Sequence, residues 1–114
     1  MDYTPLGKTG VLVSTLCFGT MSFGGEADTE ESAKMYRACR EAGINFFDCA
    51  NIYNQGRSEE ILGDLIQGER DEIVITSKYT VRSGPDVNAI GASRRNAVVE
   101  VEKSLKRLKT DRID

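Results

Sequence analysis

Apolar and polar positions along this chain switch repeatedly between a two-residue and a helical period. Leu6, the turn Gly7-Lys8-Thr9-Gly10 and the run Val11-Leu12-Val13 predict a β-hairpin over residues 3–14. Thr15-Leu16-Cys17-Phe18 predicts a short buried strand ending at Gly19-Thr20, followed by a Gly-rich loop, Ser22-Phe23-Gly24-Gly25. Asp28 with Glu31 three residues on resembles a capping box. Met35, Tyr36, Cys39 and Ala42 then recur at helical spacing, and Gly43 stops the helix. A second strand is predicted from Ile44 to Ala50. A second helix should start at Ser58 as N-cap, with Glu59 and Glu60 at the positive end of its dipole. Its apolar stripe is Ile61, Leu62, Leu65 and Ile66, and Gly68 ends it. The run Ile73-Val74-Ile75-Thr76-Ser77-Lys78-Tyr79 is rich in β-branched residues and reads as a strand buried on both faces. After a loop from Arg82 to Ala92, Ser93 should open a third helix. Its stripe reads Ala97, Val98, Val101, Leu105 and Leu108, with Glu102 and Lys106 as an i,i+4 ion pair. Thr110 to Asp114 reads as the approach to another strand.

A hairpin followed by β-α-β-α-β-α in units of about 30 residues implies parallel strands joined by right-handed crossovers. Two α/β architectures fit, a doubly wound sheet or part of a (β/α)8 barrel. The doubly wound nucleotide-binding fold would carry G-x-G-x-x-G at its first strand–helix turn. Here that turn reads Gly19-Thr20-Met21-Ser22-Phe23-Gly24-Gly25, and no G-x-x-x-x-G-K-[ST] occurs either.

Composition narrows the function classes. The 114 residues amount to one domain at most. With 15 basic and 18 acidic side chains the net charge is −3, which argues against a nucleic-acid binder. Residues 94–114 carry 7 basic groups against 4 acidic, but Glu100 and Glu102 interrupt the patch, so a solvated helix face is expected. No run approaches the roughly 20 apolar residues of a membrane span, and no signal peptide opens the chain. Cys17, Cys39 and Cys49 form no C-x-x-C and lie in apolar segments, which predicts buried, reduced thiols in a cytoplasmic protein. There is no histidine, which rules out a His-ligated metal or a catalytic His within these residues.

The informative polar residues sit at strand ends. In a parallel barrel, chemistry gathers at the C-terminal face of the strands. Asp48 lies near the end of the second strand, Lys78 near the end of the third, and Tyr53 in the loop after the second, so all three should meet on one face. A carboxylate and a lysine in an apolar barrel mouth are costly unless paired, which predicts an Asp48–Lys78 pair. Their charge could also tune Tyr53, a phenol that ordinarily ionises near pH 10, towards general-acid work. Singly, Asp48 also reads as a loop cap, Tyr53 as a packing aromatic and Lys78 as a solvated strand end. Tyr79 should point away from Lys78, towards the helix layer.

The stretch Gly43-Ile44-Asn45-Phe46-Phe47-Asp48-Cys49-Ala50-Asn51-Ile52-Tyr53, followed by Ser58-Glu59-Glu60-Ile61-Leu62-Gly63, resembles the G-I-N-x-x-D-T-A-x-x-Y…S-E-x-x-L-G signature of the aldo/keto reductase family. Leu6-Gly7-Lys8-Thr9-Gly10, Phe18-Gly19-Thr20-Met21, Ile75-Thr76-Ser77-Lys78 and Ser93-Arg94-Arg95 are similar in order over nearly the whole chain. Cys49 stands where the family usually has Thr, a small change of similar volume. The resemblance implies a (β/α)8 barrel whose bottom is closed by the hairpin, and NADPH-dependent reduction of aldehydes or ketones to alcohols. It implies Tyr53 as proton donor, tuned by Asp48 and Lys78, with Gly19, Thr20, Met21 and Asp48 lining the nicotinamide end of the cofactor site.

The fold expected is therefore an N-terminal hairpin plus about three β/α units of a TIM barrel, stopping before the fourth strand. Such a barrel typically takes about 250 residues. The family's fourth catalytic member, a His after the fourth strand, is not among these residues. Three parallel strands cannot close, and they leave unpaired edges. The 114 residues alone are thus expected to be a poorly stable, inactive portion of a longer reductase, or to need a complementing chain. The expected substrate is a small carbonyl compound, and neither nucleic acid nor membrane is expected as a partner. Two other readings remain open: a non-catalytic regulatory module on the same scaffold, as in channel-associated members of the family, and a truncated product without function.

Overall fold

The computed structural model describes all 114 residues. The chain opens with an antiparallel hairpin, β1 (Tyr3–Pro5) and β2 (Leu12–Ser14), in which Tyr3 faces Ser14. A parallel sheet follows, built from β3 (Phe18–Gly19), β4 (Phe46–Asp48) and β5 (Val74–Thr76) in that spatial order. The helices α1 (Thr29–Glu41) and α2 (Arg57–Leu65) connect its strands, and α3 (Arg94–Leu108) follows β5. This is the α/β arrangement expected, a partial and unclosed barrel. The strands are shorter than the apolar runs predicted, because ladder pairing covers only two or three residues of each.

Side-chain alternation divides the sheet into two faces. Phe18, Phe47 and Ile75 are in register across the three strands and point into the helix layer. There they join Phe23, Tyr36, Ile61, Leu62, Ile66 and Leu108 in one core. Gly19, Asp48 and Thr76 are likewise in register and belong to the opposite face.

The hairpin is tied to the sheet through Asn45. Its carboxamide accepts from Ser14 N at 2.7 Å and donates to Leu12 O at 3.1 Å. The turn before it requires glycine: Gly43 has φ +85°, and a Cβ there would lie 2.9 Å from Met1 Cβ. At the other end of the sequence, Asp114 N donates to Ile75 O and Asp114 Oδ2 accepts from Ile75 N, so Asp114 reaches the free edge of β5.

Several local expectations are corrected by packing. Asp28 caps α1, accepting from Glu31 N at 2.8 Å, but Glu31 turns to Lys34 instead of completing the box. Ser58 is not an N-cap. The N-cap of α2 lies two residues earlier, at left-handed Gly56, and Ser58 is buried inside the helix. The buried face of α3 is Asn96, Glu100, Ser104 and Leu108, whereas Val98, Val99 and Val101 are exposed. Glu100 accepts from Asn51 and Ser83 outside the helix, while Asn96 donates to Gly91 O and Ser104 accepts from Arg107 locally. The hydrogen bonds of Glu100 thus weigh against hydrophobicity in setting the helix rotation. Glu102 and Lys106 form no ion pair; Glu100 pairs with Lys103. Cys39 and Cys49 are buried as expected, but Cys17 is exposed.

Beneath the sheet, Tyr36 donates to Glu69 Oε1 at 2.6 Å, and Glu69 also accepts from Arg40 at 2.9 Å. Burial pushes the Tyr36 phenol well above its ordinary value, and Glu69 pushes it the same way. The folded protein therefore holds this proton more tightly than the unfolded chain does. Its contribution is fully present at neutral pH and is lost as pH rises past the unfolded value of about 10. Urea stability is expected to fall above about pH 10 and to fall less steeply in Tyr36→Phe. Parallel declines in the two proteins would assign the alkaline loss to other groups.

Candidate active site

The C-terminal ends of β4 and β5 carry the polar residues. Asp48 closes β4, and the in-register Thr76 donates to its Oδ1 at 2.8 Å. Two residues beyond the end of β5, Lys78 turns back over the sheet. Its Nζ lies 2.7 Å from Asp48 Oδ2, 2.7 Å from Cys49 O and 3.2 Å from Tyr53 Oη. The ammonium thus uses its donors on a carboxylate, a carbonyl and a phenol. Burial, the largest single influence, lowers the Lys78 pKa. The hydrogen bonds to Asp48 and Tyr53, and the charges of both, outweigh it and hold the pKa above the usual lysine value. Asp48, Tyr53 and Lys78 therefore meet as their sequence positions predicted, with Asp48 and Lys78 paired. Tyr79 lines a cavity with Lys78, Val101 and Leu105.

Strand β3 brings the remaining predicted residues alongside. Gly19 pairs with Asp48 in register, and a Cβ at Gly19 would meet nothing within 4 Å, so the face above it is open. Thr20 is buried and its Oγ1 donates to Asp48 O at 3.1 Å. Ser58 in turn donates to Thr20 O at 2.7 Å, locking α2 to the strand ends, and buried Cys49 rests 3.3 Å from Ser58 Oγ. Burial pushes the Cys49 thiol up, so it stays protonated and packs as a neutral group. Met21 projects outward with two-thirds of its surface exposed. An open face floored by Gly19 and flanked by Met21 and the Asp48–Lys78 pair fits a flat aromatic ring with polar substituents. No cluster of cations accompanies it, so among the predicted cofactor residues the fit is to the ring end alone.

Two buried carboxylates behind the site were not foreseen. Glu59 has no solvent exposure; it accepts from Ser77 Oγ at 2.6 Å and from Arg107 Nε at 2.6 Å. Glu100, 1% exposed, accepts from Asn51, Ser83 and Lys103. Burial pushes the Glu100 carboxyl up, but Lys103, Asn51 and Ser83 together leave it below the usual range. These carboxylates hold Ser77, next to Lys78, and Asn51, two residues before Tyr53. Helical spacing was the available signal: Glu59 shares a face with Gly63 and Ile66, and Glu100 with Ser104 and Leu108.

A model of the aldo/keto reductase family matches residues 15–114. This chain belongs to that family. Among curated relatives, the "Probable voltage-gated potassium channel subunit beta" of Arabidopsis thaliana is 43% identical over 118 residues, covering all of this chain and 36% of its own length. Aldo-keto reductase YhdN of Bacillus subtilis (strain 168) is 38% identical over 120 residues, again with 100% and 36% coverage. The solved aldo-keto reductase AKR11C1 from Bacillus halodurans, in its holo form, superposes with a TM-score of 0.87 at 34% identity, matching all of this chain and 38% of that one. The chain thus spans little more than a third of these aldo/keto reductase relatives. The family is one of oxidoreductases, and no helix of this member is long and apolar enough to cross a membrane.

Proposed function

We propose that these residues are the N-terminal part of an NADPH-dependent reductase that converts small aldehydes or ketones to alcohols. The observation that carries the reading is the position of Lys78 Nζ, within hydrogen-bonding distance of both Asp48 Oδ2 (2.7 Å) and Tyr53 Oη (3.2 Å), beside the open face at Gly19. When bound, a reduced nicotinamide supplies the hydride. Gly19, Met21 and Asp48 hold the ring end of that cofactor, and buried Thr20 supports Asp48 from behind through its bond to Asp48 O. Tyr53 donates the phenolic proton to the carbonyl oxygen as it becomes an alkoxide. Lys78 supplies positive charge where the phenol oxygen is left negative, and Asp48 orients the ammonium. A regulatory scaffold alone has no need for all three groups in contact. The remaining strands and the adenosine-phosphate end of the cofactor site come from outside these 114 residues. We place the protein in the cytoplasm, where buried Cys39 and Cys49 stay reduced.

The test is oxidation of NADPH by the complete native polypeptide with a reactive aldehyde such as 4-nitrobenzaldehyde. Turnover supports the reading. No oxidation of NADPH or NADH with any of a panel of aldehydes and ketones overturns it. The name of the Arabidopsis relative favours one second reading, a channel-associated subunit. Co-purification with a voltage-gated potassium channel that persists in Tyr53→Phe, without carbonyl reduction by the unsubstituted protein, would select it.

A further inference from the structure

The segment after Tyr53 is wound the wrong way. Asn54 (φ 48°, ψ 45°) and Gln55 (φ 58°, ψ 36°) are both left-handed, and Gly56 follows at φ +89°. Left-handed backbone is natural for glycine, tolerable for asparagine and unfavourable for glutamine, so neighbouring structure must hold this turn. The Asn54 side chain does so. Its Nδ2 donates to Met21 O at 2.8 Å and to Phe23 O at 2.9 Å, across to the loop that follows β3. That loop fits the carboxamide closely. A Cβ at Gly25 would stand 2.6 Å from Asn54 Oδ1 and 2.9 Å from its Nδ2. The Gly-rich stretch after the first parallel strand is therefore a seat for this carboxamide as well as a permissive connection.

We propose that Asn54 and Gly25 form a clasp fixing the Tyr53 turn against the 20–25 loop, which makes Asn54 a positioning residue for Tyr53 and for the Met21 side of the ring site. The positioning role rests on the reductase reading; the clasp itself does not. No backbone hydrogen bond joins the loops that carry Met21 and Tyr53. The carboxamide bridges them through two carbonyls, and Ser58 holds only the start of the 20–25 loop, at Thr20, so losing the carboxamide loosens Met21 and the turn at Tyr53 together.

Two substitutions open the clasp from opposite sides. Asn54→Gly removes the carboxamide while suiting the left-handed backbone. Gly25→Ala places a methyl group against the carboxamide and displaces it. Made in the complete native polypeptide, each is expected to speed amide hydrogen exchange at least tenfold in both 20–25 and 53–57, measured without cofactor. Each should lower kcat at least tenfold with 4-nitrobenzaldehyde and NADPH, while the melting temperature stays within a few degrees. The double variant should be no worse than Asn54→Gly alone, because no carboxamide remains for the new methyl group to displace. Faster exchange confined to the substituted segment, or additive effects in the double variant, overturns the clasp. Coupled exchange with unchanged kcat overturns the positioning role. If the unsubstituted protein reduces no carbonyl, the reductase reading and the positioning role fall, and coupled exchange still establishes the clasp.

Discussion

Tyr53→Phe is expected to lower kcat for carbonyl reduction by about 10²- to 10⁴-fold, the range for losing a positioned general acid. NADPH affinity should stay within a few-fold, read by quenching of cofactor fluorescence. The substitution is clean because the ring and the hydroxyl do separate jobs. The ring packs against the core cluster, whereas the hydroxyl is held by Lys78 Nζ alone. Removing the oxygen therefore takes away the transferable proton and leaves the packing, so folding should be unaffected. The effect should fall on kcat and not on KM, since proton donation matters only as the alkoxide forms. A Tyr53→Phe protein that keeps more than a tenth of its kcat would reassign the proton to another donor. Tyr79 is a poor substitute, because Lys78 Nζ bonds the Tyr53 hydroxyl and not that of Tyr79.

The largest stability loss is expected at a residue outside the site. Arg107→Met strips the only cationic partner from Glu59, a carboxylate with no solvent exposure. Breaking a buried ion pair from one side costs about 3–5 kcal/mol, because the remaining charge cannot be hydrated. Arg107 keeps 22% of its side-chain surface exposed, so some screening persists and about 3 kcal/mol is expected. Ser77 still donates to Glu59 but carries no charge. Urea unfolding of the complete polypeptide checks the value, and Glu59→Gln in the Arg107→Met background should restore part of the loss by removing the stranded charge. A loss below about 1 kcal/mol would mean that the Ser77 hydrogen bond and entering water suffice. Arg107→Met also loosens Ser77, the neighbour of Lys78, so a smaller fall in kcat should accompany it.

Much of this was legible in the residues. The Gly7–Gly10 turn, the Asp28 and Ser93 caps and the second and third parallel strands are local signals that stand where the pattern placed them, whereas the first shares only Phe18 with its predicted run and leaves Leu16 exposed. Asp48, Lys78 and Tyr53 were legible as a group because strand ends in a parallel sheet share one face, so topology alone converges them. The order of motifs identified the family before any geometry was known. Ser58 and the face of α3 were misread for one reason. Ser58 has the composition of a cap, and Val98 and Val101 have the composition of a core stripe, but composition does not name a partner.

Periodicity, turn chemistry and motif order, all local properties, thus determined the element sequence, the α/β class and the convergence of Asp48, Tyr53 and Lys78. Which polar groups are buried was decided only by the folded arrangement. Glu59 reaches Arg107 across 48 positions and Asn51 reaches Glu100 across 49. A buried carboxylate or amide is tolerated only when such a partner arrives. That condition depends on how α2 and α3 dock on the sheet, and no local stretch of sequence expresses it.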